Sequence, residues 1–152
     1  MKKDAILCDV DGTIALMKGK RGPFEYHKAD KDVPNEIVIT TVLPLKNVFD
    51  CKLIMLSARE NVIFKEENNK YSSVFDLTVN WLDNYLGKNW DDLILRPAGD
   101  YRKDCYVKYD IYNELIRPHY NIISVFDDRN QVVDMWRNGL GLQCFQVADG
   151  NF

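Results

Sequence analysis

The chain has 152 residues, 46% hydrophobic and 28% charged, which suits one packed domain of a water-exposed protein. Its formal net charge of −3 excludes a global positive field that draws a protein onto nucleic acid, so any polyanion contact must be local. No apolar run approaches the ~20 residues that cross a bilayer, and the short run after Met1-Lys2-Lys3-Asp4 is too brief for a signal peptide.

The first predicted element is a buried strand over residues 5–8, which ends in the turn chemistry of Asp9-Val10-Asp11-Gly12-Thr13. On an extended segment, side chains two apart point the same way, so Asp9 and Asp11 are expected to face one spot. Gly12 lets the backbone turn and approach a ligand. Residues 16–31 are polar, Gly-containing and basic at their centre, and read as a loop after a strand end. Ile37, Val38, Thr41, Val42, Leu45 and Phe49 recur at helical spacing, with Pro44 expected to kink or split that helix. A second strand, 52–56, runs into Ser57-Ala58-Arg59, and a charged, Asn-rich loop follows over 60–71. Val74, Leu77, Thr78, Trp81, Leu82 and Tyr85 form a second amphipathic stripe, capped by Ser72 or Ser73 and ended by Gly87.

A third strand covers 93–95. Asp104 is placed to cap a third helix carrying Val107, Ile111 and Leu115, with Lys103 or Lys108 near its start. A strand over 122–126 leads into Asp127-Asp128-Arg129, then a short helix over 130–138 stopped by Gly139, then a last strand over 143–147. Strand–helix alternation predicts an α/β fold: a three-layer, Rossmann-like parallel sheet of about five strands with helices on both faces. Ligands bind such sheets at the carboxyl ends of the strands. There the chain collects two acids, a Ser-x-Arg, a lysine and an Asp-Asp pair. Phosphate-monoester hydrolysis needs such a set: a nucleophile, an acid for the leaving oxygen, a cation and donors on the phosphoryl oxygens.

Spacing removes other chemistries. Asp9-x-Asp11 is no EF-hand, because Ile14 and Lys20 occupy the positions that need Gly and Glu. Gly19-Lys20 and Gly87-Lys88 continue with Arg21 and Asn89, so neither is a P-loop. Cys8, Cys51, Cys105 and Cys144 form no Cys-x-x-Cys pair and read as reduced thiols, which suits a cytoplasmic protein. His27 and His119 are too few for a His-rich metal site.

Taken together, the Asp-x-Asp-Gly-Thr, Ser-x-Arg, Lys and Asp-Asp motifs resemble those of the haloacid-dehalogenase-like (HAD) phosphatase superfamily. Arg21-Gly22-Pro23, residues 99–104, 126–136 and the tail 144–152 further resemble the 3′-phosphatase domains of T-even-type bacteriophage polynucleotide kinase/phosphatases. The resemblance spans nearly the whole chain. It implies one phosphatase domain over 1–152, with a small flap at about 14–32, a minimal cap and no kinase domain. It implies that Asp9 is the nucleophile and Asp11 the general acid/base. Mg²⁺ is held by Asp9, Asp127 and Asp11, the last through its backbone carbonyl, with Asp128 nearby. Ser57, Lys108 and Thr13 bind the phosphoryl oxygens, Arg21 and Arg59 serve the substrate, and Asp104 orders the lysine loop. Ala58 departs from the family, which usually has Gly there. The implied activity is Mg²⁺-dependent removal of 3′-phosphates from DNA or RNA ends in end repair, beside a separately encoded kinase or ligase and away from membranes. A phage-encoded chain would do this in the host cytoplasm. The alternatives are a phosphatase of mononucleotides or other small metabolites, and a non-catalytic module that grips phosphorylated ends.

Overall fold

The computed structural model describes residues 1–152. β1 (Lys3–Cys8) is followed by a short antiparallel pair, β2 (Ala15–Leu16) and β3 (Val33–Pro34), which close a flap containing a 3-10 turn at Tyr26–Lys31. α1 (Glu36–Val48) leads to β4 (Lys52–Glu60), and a hairpin of β5 (Ile63–Lys65) and β6 (Tyr71–Ser73) precedes α2 (Val74–Leu86) and β7 (Asp92–Arg96). α3 (Asp104–Ile111) runs on as a π-helical segment, Tyr112–Ile116, before β8 (Tyr120–Asp127). α4 (Asn130–Asp134) does the same over Met135–Gly139 before β9 (Cys144–Gln146).

The five expected strands form one sheet in the order β7-β4-β1-β8-β9, parallel throughout. Parallel neighbours need long crossovers, and each one here carries a helix. Successive β1 side chains point to opposite faces, and this alternation builds two cores. Ile6 and Cys8 pack against Val38 and Val42 of α1 and Trp81 and Leu82 of α2. Ala5 and Leu7 pack against Val107 and Ile111 of α3 and Val132 and Val133 of α4. From β1 the chain moves outward to β4 and β7, then crosses back to β8 on the other side. That reversal opens a crevice at the carboxyl ends of β1 and β8, where open α/β sheets take their ligands. No helix is long and apolar enough to cross a membrane.

Four expectations change. Pro44 does not split α1: it sits on an exposed position, and so does Thr40, whose carbonyl loses its helical donor and is left to water. Ile37 and Phe49 are exposed, and Val38, Ile39 and Val42 carry the buried face instead. The 60–71 stretch is no simple loop but supplies most of the β5–β6 hairpin. Asp104 does not cap α3, since its carboxylate turns to Arg96 and Arg129. Of the two candidate caps for α2, Ser73 acts: its Oγ accepts from the Asp76 N–H at 3.0 Å.

Candidate active site

The Asp9 N–H donates to the Phe126 carbonyl at 2.9 Å, which ties the ends of β1 and β8 together. The Val10 carbonyl then accepts the N–H groups of Thr13, Ile14 and Ala15 at 3.2, 3.1 and 2.9 Å, so the chain folds sharply back. The segment after Asp9 is therefore a tight turn rather than an extended run, and the Asp9 and Asp11 carboxylates enter different networks. Gly12 makes the turn possible at φ +78°, and it also makes room: a Cβ there would lie 2.2 Å from Asp128 Oδ2.

Asp9 joins Asp127 and Asp128 in buried positions, with one carboxylate oxygen from each lying within 4.8 Å of the others. Lys108 Nζ donates to Asp9 Oδ1 and to Asp127 Oδ2, both at 2.7 Å. Thr13 Oγ1 donates to Asp9 Oδ2 at 3.0 Å. Trp136 Nε1 donates to Asp127 Oδ2 at 3.3 Å, and Asp127 Oδ1 accepts the Asp128 N–H at 3.0 Å. Three carboxylates thus face one ammonium. Burial, with Asp127 adding to it and Lys108 opposing it, pushes the Asp9 carboxyl well above its usual range. Burial and then Asp127 raise Asp128 to about 6. Burial alone would lower Lys108, but Asp127 and Asp9 outweigh it and hold its ammonium firmly protonated. An all-oxygen donor set with unbalanced negative charge fits a hard divalent cation.

The Asp11 carboxylate is not part of that cluster. Arg59 grips it with Nε on Oδ2 at 2.9 Å and Nη2 on Oδ1 at 2.8 Å, and Arg21 Nη2 adds a bond to Oδ1 at 2.6 Å. Burial pushes the Asp11 carboxyl up, but Arg59 and then Arg21 outweigh it and hold it below the ordinary range. Both arginines also bind Asp32, Arg21 through Nε and Nη2 at 2.8 Å and Arg59 through Nη2 at 2.9 Å. Arg59 Nη1 donates to Thr78 Oγ1 at 3.0 Å, and Trp81 Nε1 to the Asp32 carbonyl at 2.9 Å. Two arginines and two aspartates therefore make a charge-balanced square, buried except at Asp11.

The structure places the other expected residues against protein partners. Arg21 and Arg59, expected on the substrate, are fully buried and spent on Asp11 and Asp32. Thr13, expected on phosphate, faces Asp9. Ser57 is buried at a bulge in β4, where its Oγ accepts the Arg59 N–H at 3.1 Å. Of the two candidate lysines, Lys108 reaches the acids. Lys103 makes no such contact.

Sequence reasoning missed Asp32, Trp136 and Gly150, and left Arg96 open between binding substrate and pairing with an acid. Arg96 donates through Nε to the Ala58 carbonyl at 2.9 Å and pairs with Asp104, which also takes Arg129 Nη1 at 2.6 Å. The tail braces the Asp127–Arg129 turn: Gln146 Nε2 donates to the Asp128 carbonyl, and the Asn130 N–H to Gly150, both at 2.9 Å. A Cβ on Gly150 would sit 1.9 Å from the Asp128 carbonyl oxygen, so only glycine allows this approach. These partners lie far apart in sequence, and no local pattern marks them.

The acids lie in a cleft of about 1020 Å³, bordered by the flap (Lys18, Phe24, His27), the hairpin (Phe64) and the loop after β7 (Tyr101, Lys103). The His27 and Phe64 rings come within 6.1 Å of each other, so flap and hairpin meet across it.

Residues 3–152 match the family described as the polynucleotide kinase PNKP phosphatase domain. The chain belongs to this family. As a PNKP-type phosphatase domain, it is 35% identical over 134 residues to a protein of Autographa californica nuclear polyhedrosis virus named for polynucleotide kinase and RNA ligase functions. That match covers 88% of the chain and 18% of the viral protein. Its fold superposes on a chain of the Pnkp1/Rnl/Hen1 complex with a TM-score of 0.85 and 38% identity, over 99% of this chain and 48% of that one. A chain of the Pnkp1/Rnl/Hen1 RNA repair complex matches with a TM-score of 0.86 and 38% identity, over 99% and 44%. The PNKP-type domain thus spans less than half the length of each of these relatives.

Proposed function

We propose that this phosphatase removes terminal 3′-phosphates from nucleic-acid strands through a phosphorylated Asp9. The observation that carries the proposal is the state of Asp9 at the cleft floor. Thr13 and Lys108 hold its two oxygens, and it stands beside Asp127 and Asp128 in a cluster short of positive charge. Asp9, Asp127 and Asp128 are the residues that would hold Mg²⁺, which supplies positive charge against the phosphoryl oxygens. Lys108, bonded to Asp9 and Asp127, supplies a second, fixed positive charge.

In the first step an Asp9 oxygen bonds to phosphorus, the P–O bond to the sugar breaks, and the leaving oxygen takes a proton from Asp11. In the second, Asp11 removes a proton from water, which attacks the aspartyl phosphate and releases inorganic phosphate. Arg59 and Arg21 favour the ionised Asp11 that the second step requires. The dianionic phosphate entering beside it raises its proton affinity for the first. Because the relatives pair this domain with kinase and ligase functions, we place the chain in end repair, with those activities supplied by other domains or chains.

A phosphate-release screen over a 3′-phosphorylated oligonucleotide, nucleoside 3′- and 5′-monophosphates and sugar phosphates tests this. The expected outcome is the highest kcat/KM on the oligonucleotide, and a preference for mononucleotides overturns it. Chelation with EDTA is expected to stop phosphate release and added Mg²⁺ to restore it, whereas activity that survives chelation removes the cation from the scheme. Gly12→Ala, which drives a methyl into Asp128, is expected to weaken Mg²⁺ binding roughly 10-fold or more, read by calorimetric titration.

A further inference from the structure

Two exposed aromatic rings border the cleft on separate, rigid turns. Phe24 is 83% exposed and Tyr101 82%. The flap turn at 22–25 is closed by the Gly22 N–H donating to Glu25 Oε2 at 2.7 Å and the Glu25 N–H donating to the Gly22 carbonyl at 3.2 Å. Arg21 Nη1 adds a bond to the Gly22 carbonyl at 3.1 Å. The loop after β7 is pinned from beneath: Arg96 Nη1 donates to the carbonyls of Asp100 at 2.8 Å and Arg102 at 2.7 Å, the two neighbours of Tyr101. Arg102 folds back onto Asp100 at 2.8 Å, which locks the same loop from outside. Each turn spends its hydrogen bonds on holding its shape and leaves one ring facing outward.

Isolated exposed apolar residues are ordinary. Two rings on turns braced by buried arginines, both at the mouth of the catalytic cleft, form a prepared surface. Lys18 and Lys103 line the same cleft and make no ion pair or side-chain hydrogen bond, so their charge is free for a polyanion. Flat apolar faces flanked by unpaired cations match the last nucleotides of a single strand, whose bases stack on aromatic rings while lysines meet the phosphates.

We infer that Phe24 and Tyr101 are stacking platforms for the unpaired bases at the 3′ end of a single-stranded substrate, with Lys18 and Lys103 neutralising the adjoining backbone. The inference rests on the nucleic-acid reading above. Stacking needs a base face but no particular base, so the site accepts any sequence. In a duplex the faces of the internal bases are covered, so a blunt 3′ end must unpair before it is bound.

The test uses Phe24→Ala, Tyr101→Ala and Phe24→Trp against three substrates. These are a 3′-phosphorylated oligonucleotide, the same strand ending in two abasic residues, and glycerol phosphate, which carries no ring. Each alanine variant is expected to lower the ratio of oligonucleotide to glycerol phosphate kcat/KM about 10-fold, through KM, with Phe24→Trp restoring it. The unaltered protein should lose both factors, about 100-fold, on the abasic strand, where each alanine variant, keeping one ring, loses only the remaining ~10-fold. An unchanged ratio, or an equal loss on the abasic strand, overturns the stacking role while leaving 3′-phosphatase activity standing. If the unaltered protein cleaves glycerol phosphate but not the oligonucleotide, the substrate reading itself fails, and the platforms with it.

Discussion

Asp9→Asn is expected to abolish phosphate release and to leave the protein folded, with a melting temperature equal to or above that of the parent. The substitution keeps the shape of the side chain but replaces the attacking oxygen pair with an amide, which neither forms the phosphoenzyme nor ligates a hard cation well. Removing a nucleophile typically costs about 10⁴-fold or more in kcat. Stability moves the other way because Asp9 is one of three buried carboxylates sharing a single lysine, and burial already opposes its charge. Loss of that charge relieves the cluster, the familiar exchange of stability for activity at a strained site. Thermal unfolding and oligonucleotide dephosphorylation, measured on one preparation, check both halves. Turnover at the parent rate ends the covalent mechanism.

Arg59→Ala should produce the largest loss of stability of any single change near the site, about 3–5 kcal/mol, because it strands the buried Asp32 carboxylate and the half-buried Asp11. Arg59 has no exposed side-chain surface and serves Asp11, Asp32 and Thr78 together. Arg21 remains in the variant, but one guanidinium must then answer for two acids. Against a total of roughly 5–15 kcal/mol for a domain of this size, such a loss leaves a marginal protein. Arg59→Lys is not expected to rescue it, since a point charge cannot reproduce the forked contacts to Asp11 and Asp32. Urea unfolding with unchanged slopes measures the effect, and a loss below about 1 kcal/mol would show that the square is not a unit.

The parallel strands were legible because both faces of the sheet are covered, which turns residues 5–8 and 52–56 into apolar runs that stop abruptly at polar turns. The meeting of Asp9, Lys108, Asp127 and Asp128 followed from placing each at a strand end or helix start. The assignments that changed concern side-chain direction. Asp9 and Asp11 look equivalent two residues apart, yet the turn around Val10 sends one to the acid cluster and the other to the arginines. Arg21 lies in a basic loop and is expected on the substrate, but Asp32 at the flap's other end draws it inside. The β5–β6 hairpin did leave a trace: Asn68-Asn69, with Asn69 at φ +65°, stands between Ile63-Phe64 and Tyr71. Pro44 misled because a helix tolerates proline where the freed carbonyl meets solvent.

The placement of β1 in the sheet has a consequence for how the molecule is made. β1 is synthesised before both strands it pairs with: its partners are residues from Lys52 onward on one side and from Tyr120 onward on the other. Until β8 has been synthesised, one edge of a strand whose last four residues are apolar has nothing to pair with, a window in which nascent chains aggregate or recruit chaperones. Asp9 therefore meets Asp127 and Asp128 only once β8 has been added, and a domain cut short before that strand has no acidic cluster.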